Sequence, residues 1–164
     1  MQMPSVLARW DRRITRWMAE HGVLFLRVSI GIVFLWFGSL KFFPGLSPAD
    51  QLATDTIDLL SFGLINTDTA RILLALLETA IGIGLITGTF LRLTLLALFG
   101  QMLGTVTPLI LFPDLTFETF PFVLTLEGQY IIKNLVLVSA GLVIGATVRG
   151  GDLVDDPEIL AASA

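Results

Sequence analysis

The sequence predicts an all-α integral membrane protein: a four-helix bundle with an N-terminal amphipathic interfacial helix and a short outer amphipathic helix. Three observations carry this. The 164-residue chain is 54% hydrophobic, with a mean hydropathy of +0.84, too apolar for an ordinary soluble domain. It contains four apolar stretches of roughly 20 residues, each about 30 Å long as a helix and so able to cross a bilayer core. Its charges are also segregated. With four spans, Arg9, Arg12, Arg13, Arg16, Arg92 and Arg149 fall on one side, and Asp50, Asp55, Asp58, Asp68, Asp114, Glu118 and Glu127 on the other.

Residues 1–21 form the first unit. Over 5–20, Val6, Leu7, Trp10, Ile14, Trp17 and Met18 share one helical face, opposite Arg9, Arg12, Arg16 and Glu20. A basic helix with Trp on its apolar side suits the membrane interface, lying in its plane. Packing of this face on the bundle is the alternative. A signal peptide fits poorly, because Arg27 interrupts the apolar run and no Ala-x-Ala site precedes Lys41.

The bundle occupies residues 22–148. The first span, 22–43, has Arg27 near its start and Lys41 near its end, and Pro44-Gly45 stops it. Arg27, Gly31, Phe34, Gly38 and Lys41 recur at alternating spacings of four and three, so they share a face that should point inward. Ser47-Pro48-Ala49-Asp50 reads as a helix start, with Ser as N-cap. The short helix to about Ser61 has Leu52, Ala53, Ile57 and Leu60 on one side, and Gln51, Thr54, Asp55 and Asp58 on the other. The second span, 69–87, is capped by Asp68 or Thr67 and ended by Gly88. The third, 91–112, carries a kink at Pro108. An acidic, Phe-rich loop over 113–128 places Phe117, Phe120 and Phe122 at the interface. The fourth span covers 129–148, and an acidic, mobile tail covers 149–164. Small residues recur as Ala80 and Gly84, Gly100 and Gly104, and Gly141 and Gly145, favouring close packing of the spans.

Basic residues near short loops stay in the cytoplasm, so both termini are expected there and both long loops outside. Lys41, Arg71 and Lys133 are the exceptions, each at an outer helix end.

Glu78 is the one charge in the apolar run 72–85. A carboxylate in hydrocarbon is costly and needs a partner, which makes it a functional-site candidate. It lies seven residues beyond Arg71, roughly 10 Å into the outer leaflet. Lys41 and Lys133 reach the same depth on the first and fourth spans, so the three converge in the expected site. Gln129, Tyr130 and Asn134 add hydrogen bonds, and Gln101 lies deeper. Two readings stay open. One is a structural ion pair that fixes helix register. The other is a pocket for a polar headgroup, such as a quinone or an oxyanion. Arg27 reads as a snorkelling anchor, and His21 as an interfacial residue. The absence of Cys, and a single His, exclude thiol chemistry, Cys-ligated clusters and multi-His metal centres from this chain.

The strings Leu26-Arg27, Ile32-Val33-Phe34-Leu35-Trp36-x-Gly38-x-Leu40-Lys41-Phe42, Leu77-Glu78-x-x-Ile81-Gly82 and Gly128-Gln129-Tyr130-Ile131-Ile132-Lys133-Asn134-Leu135 resemble the DoxX-like family of small four-helix bacterial inner-membrane proteins. The resemblance covers residues 22–148 and is closest to the branch that includes reactive-chlorine-resistance membrane proteins. That branch reads Lys-Asp where this chain has Lys133-Asn134, which removes an acid. Relatives include the membrane subunit of thiosulfate:quinone oxidoreductase. The resemblance implies an inner-membrane location, a link to redox or oxidative-stress physiology, and Arg27, Lys41, Glu78 and Lys133 as motif residues.

Three functions follow as expectations. The first is a quinone-linked redox subunit, not a complete enzyme alone, with quinone as its cofactor. The second is a small transporter, which needs homo-oligomerisation because four spans make a narrow bundle. The third is an accessory subunit contacting a membrane or periplasmic protein partner. The expected surroundings are the lipid bilayer, with no nucleic acid.

Overall fold

The structure is a computed structural model and describes residues 5–47, 50–151 and 153. It is an all-α bundle whose four long helices are long and apolar enough to cross a membrane. The expected cap formed with Pro48-Ala49, and all of the tail but 149–151 and Leu153, lie outside the described residues.

Helix α1 runs from Ser5 to Leu40, 36 residues without interruption. That is about 54 Å, well beyond a hydrocarbon core of about 30 Å. The sequence expectation of a separate in-plane helix over 5–20 is therefore corrected. The backbone ladder passes through His21 and Gly22 with no break at which the chain could turn. Nothing in the run 5–40 interrupts a helix, since it contains no Pro. The apolar face of this extension does not pack on the bundle: Trp10, Ile14, Trp17 and Met18 are all exposed. At its other end α1 stops before Phe43. The Lys41 amide turns back to the Gly38 carbonyl at 3.2 Å, a tightened last turn ahead of Pro44.

Helix α2 (Asp50–Leu60) covers the acidic end of the bundle, against α3 (Thr67–Thr87). Its inward face differs from the expected one. Thr54 and Thr56 are buried, while Leu60 is exposed. Their hydroxyls donate to carbonyls of their own helix, Thr54 to Asp50 at 2.9 Å and Thr56 to Leu52 at 2.6 Å. That satisfaction lets a polar residue take an apolar position. The N-cap of α3 is Asn66, one residue before the expected candidates. Its Oδ1 accepts from the Thr69 amide at 2.9 Å. Gly88, at φ 75°, ends α3 in the left-handed conformation.

Helix α4 (Leu91–Val106) is interrupted at Thr107 and resumes at Pro108 as α5 (Pro108–Leu111), the break that Pro108 predicts. The loop beyond is more ordered in form than expected. It contains a turn of helix, α6 (Pro113–Thr116), and an antiparallel pair, β1 (Phe117–Thr119) and β2 (Val123–Leu124). Helix α7 (Leu126–Thr147) begins nearly a turn before residue 129, because Thr125 caps it through the Gly128 amide at 3.2 Å.

The core is shared by all four long helices: Ile30 and Phe34 on α1, Ile81 and Leu85 on α3, Leu95, Leu98 and Met102 on α4, Ala140 and Ile144 on α7. Large apolar side chains such as Trp36, Leu96, Leu135 and Val136 face outward, as expected where lipid is the solvent.

The closest packing is between α1 and α3, through glycine. A Cβ on Gly82 would lie 2.5 Å from the Leu35 amide nitrogen and 2.8 Å from the Gly31 carbonyl oxygen. Gly31, Phe34, Gly38 and Lys41 are all buried, the inward face that their spacing predicts. The other glycine pairs divide. Gly84 packs against Thr94 and Gly141 against the Phe99 ring, but Gly100 and Gly104 meet nothing within 4 Å. Those two point away from the bundle, so their role in its packing is corrected.

Candidate functional site: a buried Lys–Glu–Gln triad

Glu78 is buried on the inward face of α3, 9% exposed, against Gly38 of α1. One turn beyond Gly38, where α1 gives way to its final turn, Lys41 is 7% exposed. Its Nζ donates to Glu78 Oε2 at 2.7 Å. From the other side, Gln101 on α4 donates through Nε2 to Glu78 Oε1 at 2.6 Å. Each carboxylate oxygen thus takes one strong donor, and three helices meet at one side chain.

Gln101 is expected deeper than Glu78 by position along the chain; the structure puts them side by side. The hairpin geometry explains this. Helices α3 and α4 run antiparallel from the turn at Gly88–Phe90, so residues equally far from the turn are level. Gly84 and Thr94, each five residues from Thr89, are in contact. Glu78 and Gln101 lie eleven and twelve residues from it. Counting from the turn would have found Gln101 as the partner.

Lys133 does not join the site. It is exposed on α7, its ammonium 5.4 Å from the centroid of the Tyr130 ring. The helix turns Ile131 inward instead. Two residues further is about 200° of rotation, which carries Lys133 to the outer face. Gln129 and Tyr130 are exposed as well. Asn134 is half-buried and donates to Thr105 Oγ1 at 3.4 Å, one turn along α4 from Gln101, rather than to a member of the triad. The expected three-helix convergence is corrected accordingly. Its basic partner comes from α1 alone, and its third member from α4 rather than α7. Depth was readable from position; helix rotation was not.

Arg27 sits at the opposite end of α1's inward face. Its guanidinium lies against Gly88, where α3 ends and where a Cβ would overlap it. A cation there faces the negative end of the helix dipole. His21 Nδ1 lies 3.1 Å from the Trp17 carbonyl oxygen and its ring stacks on Trp17.

Arg71 is a buried cation whose inward position the sequence reading missed, taking it only as a helix-end residue. It is 9% exposed and lies seven residues from Glu78 on the same α3 face. Its guanidinium donates to Asp68 Oδ1 at 2.8 Å, while Nε has no hydrogen-bond partner among the described residues. Spacing of seven from Glu78 was the available signal.

The triad leaves hydrogen-bonding capacity over. Lys41 uses one of three N–H donors and Gln101 one of two. Gln101 Oε1 and Thr79 Oγ1 are buried with no partner among the described residues. The group therefore offers donors and a free acceptor, while Lys41 and Glu78 cancel in charge. Such a site suits a neutral polar group better than an anion.

The DoxX family model matches residues 22–112 of the chain, the stretch that holds all three triad residues. No curated protein and no solved structure matches it.

Proposed function

From the premise that the chain belongs to the DoxX family of membrane proteins, we propose that the Lys41–Glu78–Gln101 triad is the headgroup site for a quinone in a redox-linked membrane subunit. The observation that carries this is the buried Gln101 Oε1, without a donor among the described residues, beside a charge-compensated Lys–Glu pair. A buried amide oxygen without a donor is costly, and a quinol hydroxyl would supply one. The spare N–H groups of Lys41 and Gln101 suit a quinone carbonyl. An oxyanion is disfavoured because Glu78 already neutralises Lys41. A bound quinone would supply two-electron, two-proton redox chemistry. With no Cys in the chain, its electrons would come from a partner protein. Placed in a bacterial inner membrane with cytoplasmic termini, as the segregated charges favour, the triad lies in the outer leaflet.

The test is quinone binding in nanodiscs by the wild type, Gln101→Leu and the double variant Lys41→Met/Glu78→Leu. The wild type is expected to bind a short-chain quinone and the double variant to lose at least tenfold in affinity with helix content intact. Equal affinity in both would overturn the reading.

A second reading has its own observation. Both carboxylate oxygens are already bonded at 2.7 and 2.6 Å, and neither the groove beside residues 9–20 of α1 nor the groove between Arg92 and Arg149 includes a triad residue. The triad then acts as a clamp fixing three helices in register, and the protein is an accessory subunit. Its partner would meet the exposed apolar face of the α1 extension. Co-purification of a stoichiometric partner from native membranes, unaffected by the double variant, would favour this over quinone binding.

A further inference from the structure

A groove lies at the other end of the bundle, where α4 begins and α7 ends. It has a volume of about 360 Å³, and Arg92 and Arg149 are among the residues that line it. Its floor is apolar and includes Leu95, Phe99, Gly145 and Ala146. Both arginines are exposed. Neither forms a hydrogen bond or ion pair among the described residues. Gly145 keeps the trough open: a Cβ there would meet only Leu95 Cδ1, at 3.7 Å.

We propose that this groove binds one anionic phospholipid, its phosphate held by Arg92 and Arg149 and an acyl chain lying along the Leu95–Phe99–Ala146 trough. Guanidinium is the side chain best shaped for phosphate, through paired parallel hydrogen bonds. Two such groups, one on α4 and one in the turn after α7, at the end of an apolar groove, match the two halves of a lipid. A basic pocket between spans is the form that lipid-headgroup sites take. The α1 extension at this end carries Arg9, Arg12, Arg13 and Arg16 against Asp11 and Glu20, an excess of positive charge that favours an anionic leaflet. The site is remote from the triad and independent of the quinone reading.

The test uses the full-length protein in neutral detergent, with lipid retention followed by native mass spectrometry and affinity by titration with phosphatidylglycerol or phosphatidylcholine. Wild type is expected to retain phosphatidylglycerol in preference to phosphatidylcholine. Arg92→Gln/Arg149→Gln should weaken that binding roughly 30-fold, given two near-surface cations. Gly145→Leu, which fills the trough but keeps both charges, should weaken it as well, and Arg9→Gln/Arg12→Gln should not. Unchanged phosphatidylglycerol affinity in the first two variants would overturn the proposal. So would equal competition by soluble glycerol phosphate, which would mean that the headgroup alone is recognised. The acidic residues after Arg149 in sequence are the rival occupant. If deletion of residues 152–164 raises phosphatidylglycerol affinity by as much as the double variant lowers it, the tail and not a lipid is the resident partner.

Discussion

Gly38 lies directly against Glu78: a Cβ on Gly38 would come within 2.7 Å of the Glu78 Cβ and 2.8 Å of the Thr79 amide nitrogen. The missing side chain on α1 is what lets α3 approach closely enough for Lys41, one turn on, to reach the carboxylate at 2.7 Å. Small residues at a membrane helix interface and a buried polar contact are here parts of one arrangement.

Substituting the contact glycines should therefore be costly. Gly38→Ala and Gly82→Ala are each expected to destabilise by about 1–3 kcal/mol, because the atoms they meet are largely backbone and cannot step aside. Gly100→Ala meets open space and should be neutral or slightly stabilising through helix propensity. Unfolding in detergent, followed by loss of helical signal, separates the two classes. Equal effects at all three positions would contradict the packing described.

Removing one member of the ion pair should be worse than removing both. Lys41→Met alone leaves a buried carboxylate, at an expected cost of about 3–5 kcal/mol, whereas Lys41→Met/Glu78→Leu should come close to wild type. The two single variants and the double form a cycle. An additive result would show that the pair is not coupled.

Gln101→Leu leaves Glu78 Oε1 without its 2.6 Å donor and should cost about 1–3 kcal/mol. Gln101→Glu brings a second carboxylate against the first and should cost more. Thermal stability in nanodiscs of fixed composition gives the comparison.

Lys133→Gln is expected to leave stability within about 0.5 kcal/mol and quinone affinity unchanged, since its ammonium reaches only the Tyr130 ring. A loss of quinone binding comparable to that of the Lys41 variants would put α7 back into the site.

Asn66→Ala should cost about 1 kcal/mol by freeing the Thr69 amide at the start of α3, whereas Thr67→Ala, at the exposed residue beside it, should cost little. Hydrogen exchange of the first turn of α3 distinguishes the cap from its neighbour.

The order of residues is enough to specify the class, the four spans and the inward face of α1, because hydrophobic length and helical spacing are local properties. A run of about 20 apolar residues crosses a bilayer whatever surrounds it. Gly31, Phe34, Gly38 and Lys41 share a face of any regular helix. It also identified Glu78 as needing a partner, since the cost of an isolated charge does not depend on the neighbours. Which partner it found was decided by tertiary structure. Lys41 and Lys133 were equal candidates by depth; the rotation of α7 about its axis, set by packing Ile131 and Ala140 inward, removed one of them. The hairpin register of α3 and α4 brought in Gln101. The unbroken run of α1 from Ser5 to Leu40 likewise had no single-residue signal, because continuity depends on nothing interrupting the backbone ladder.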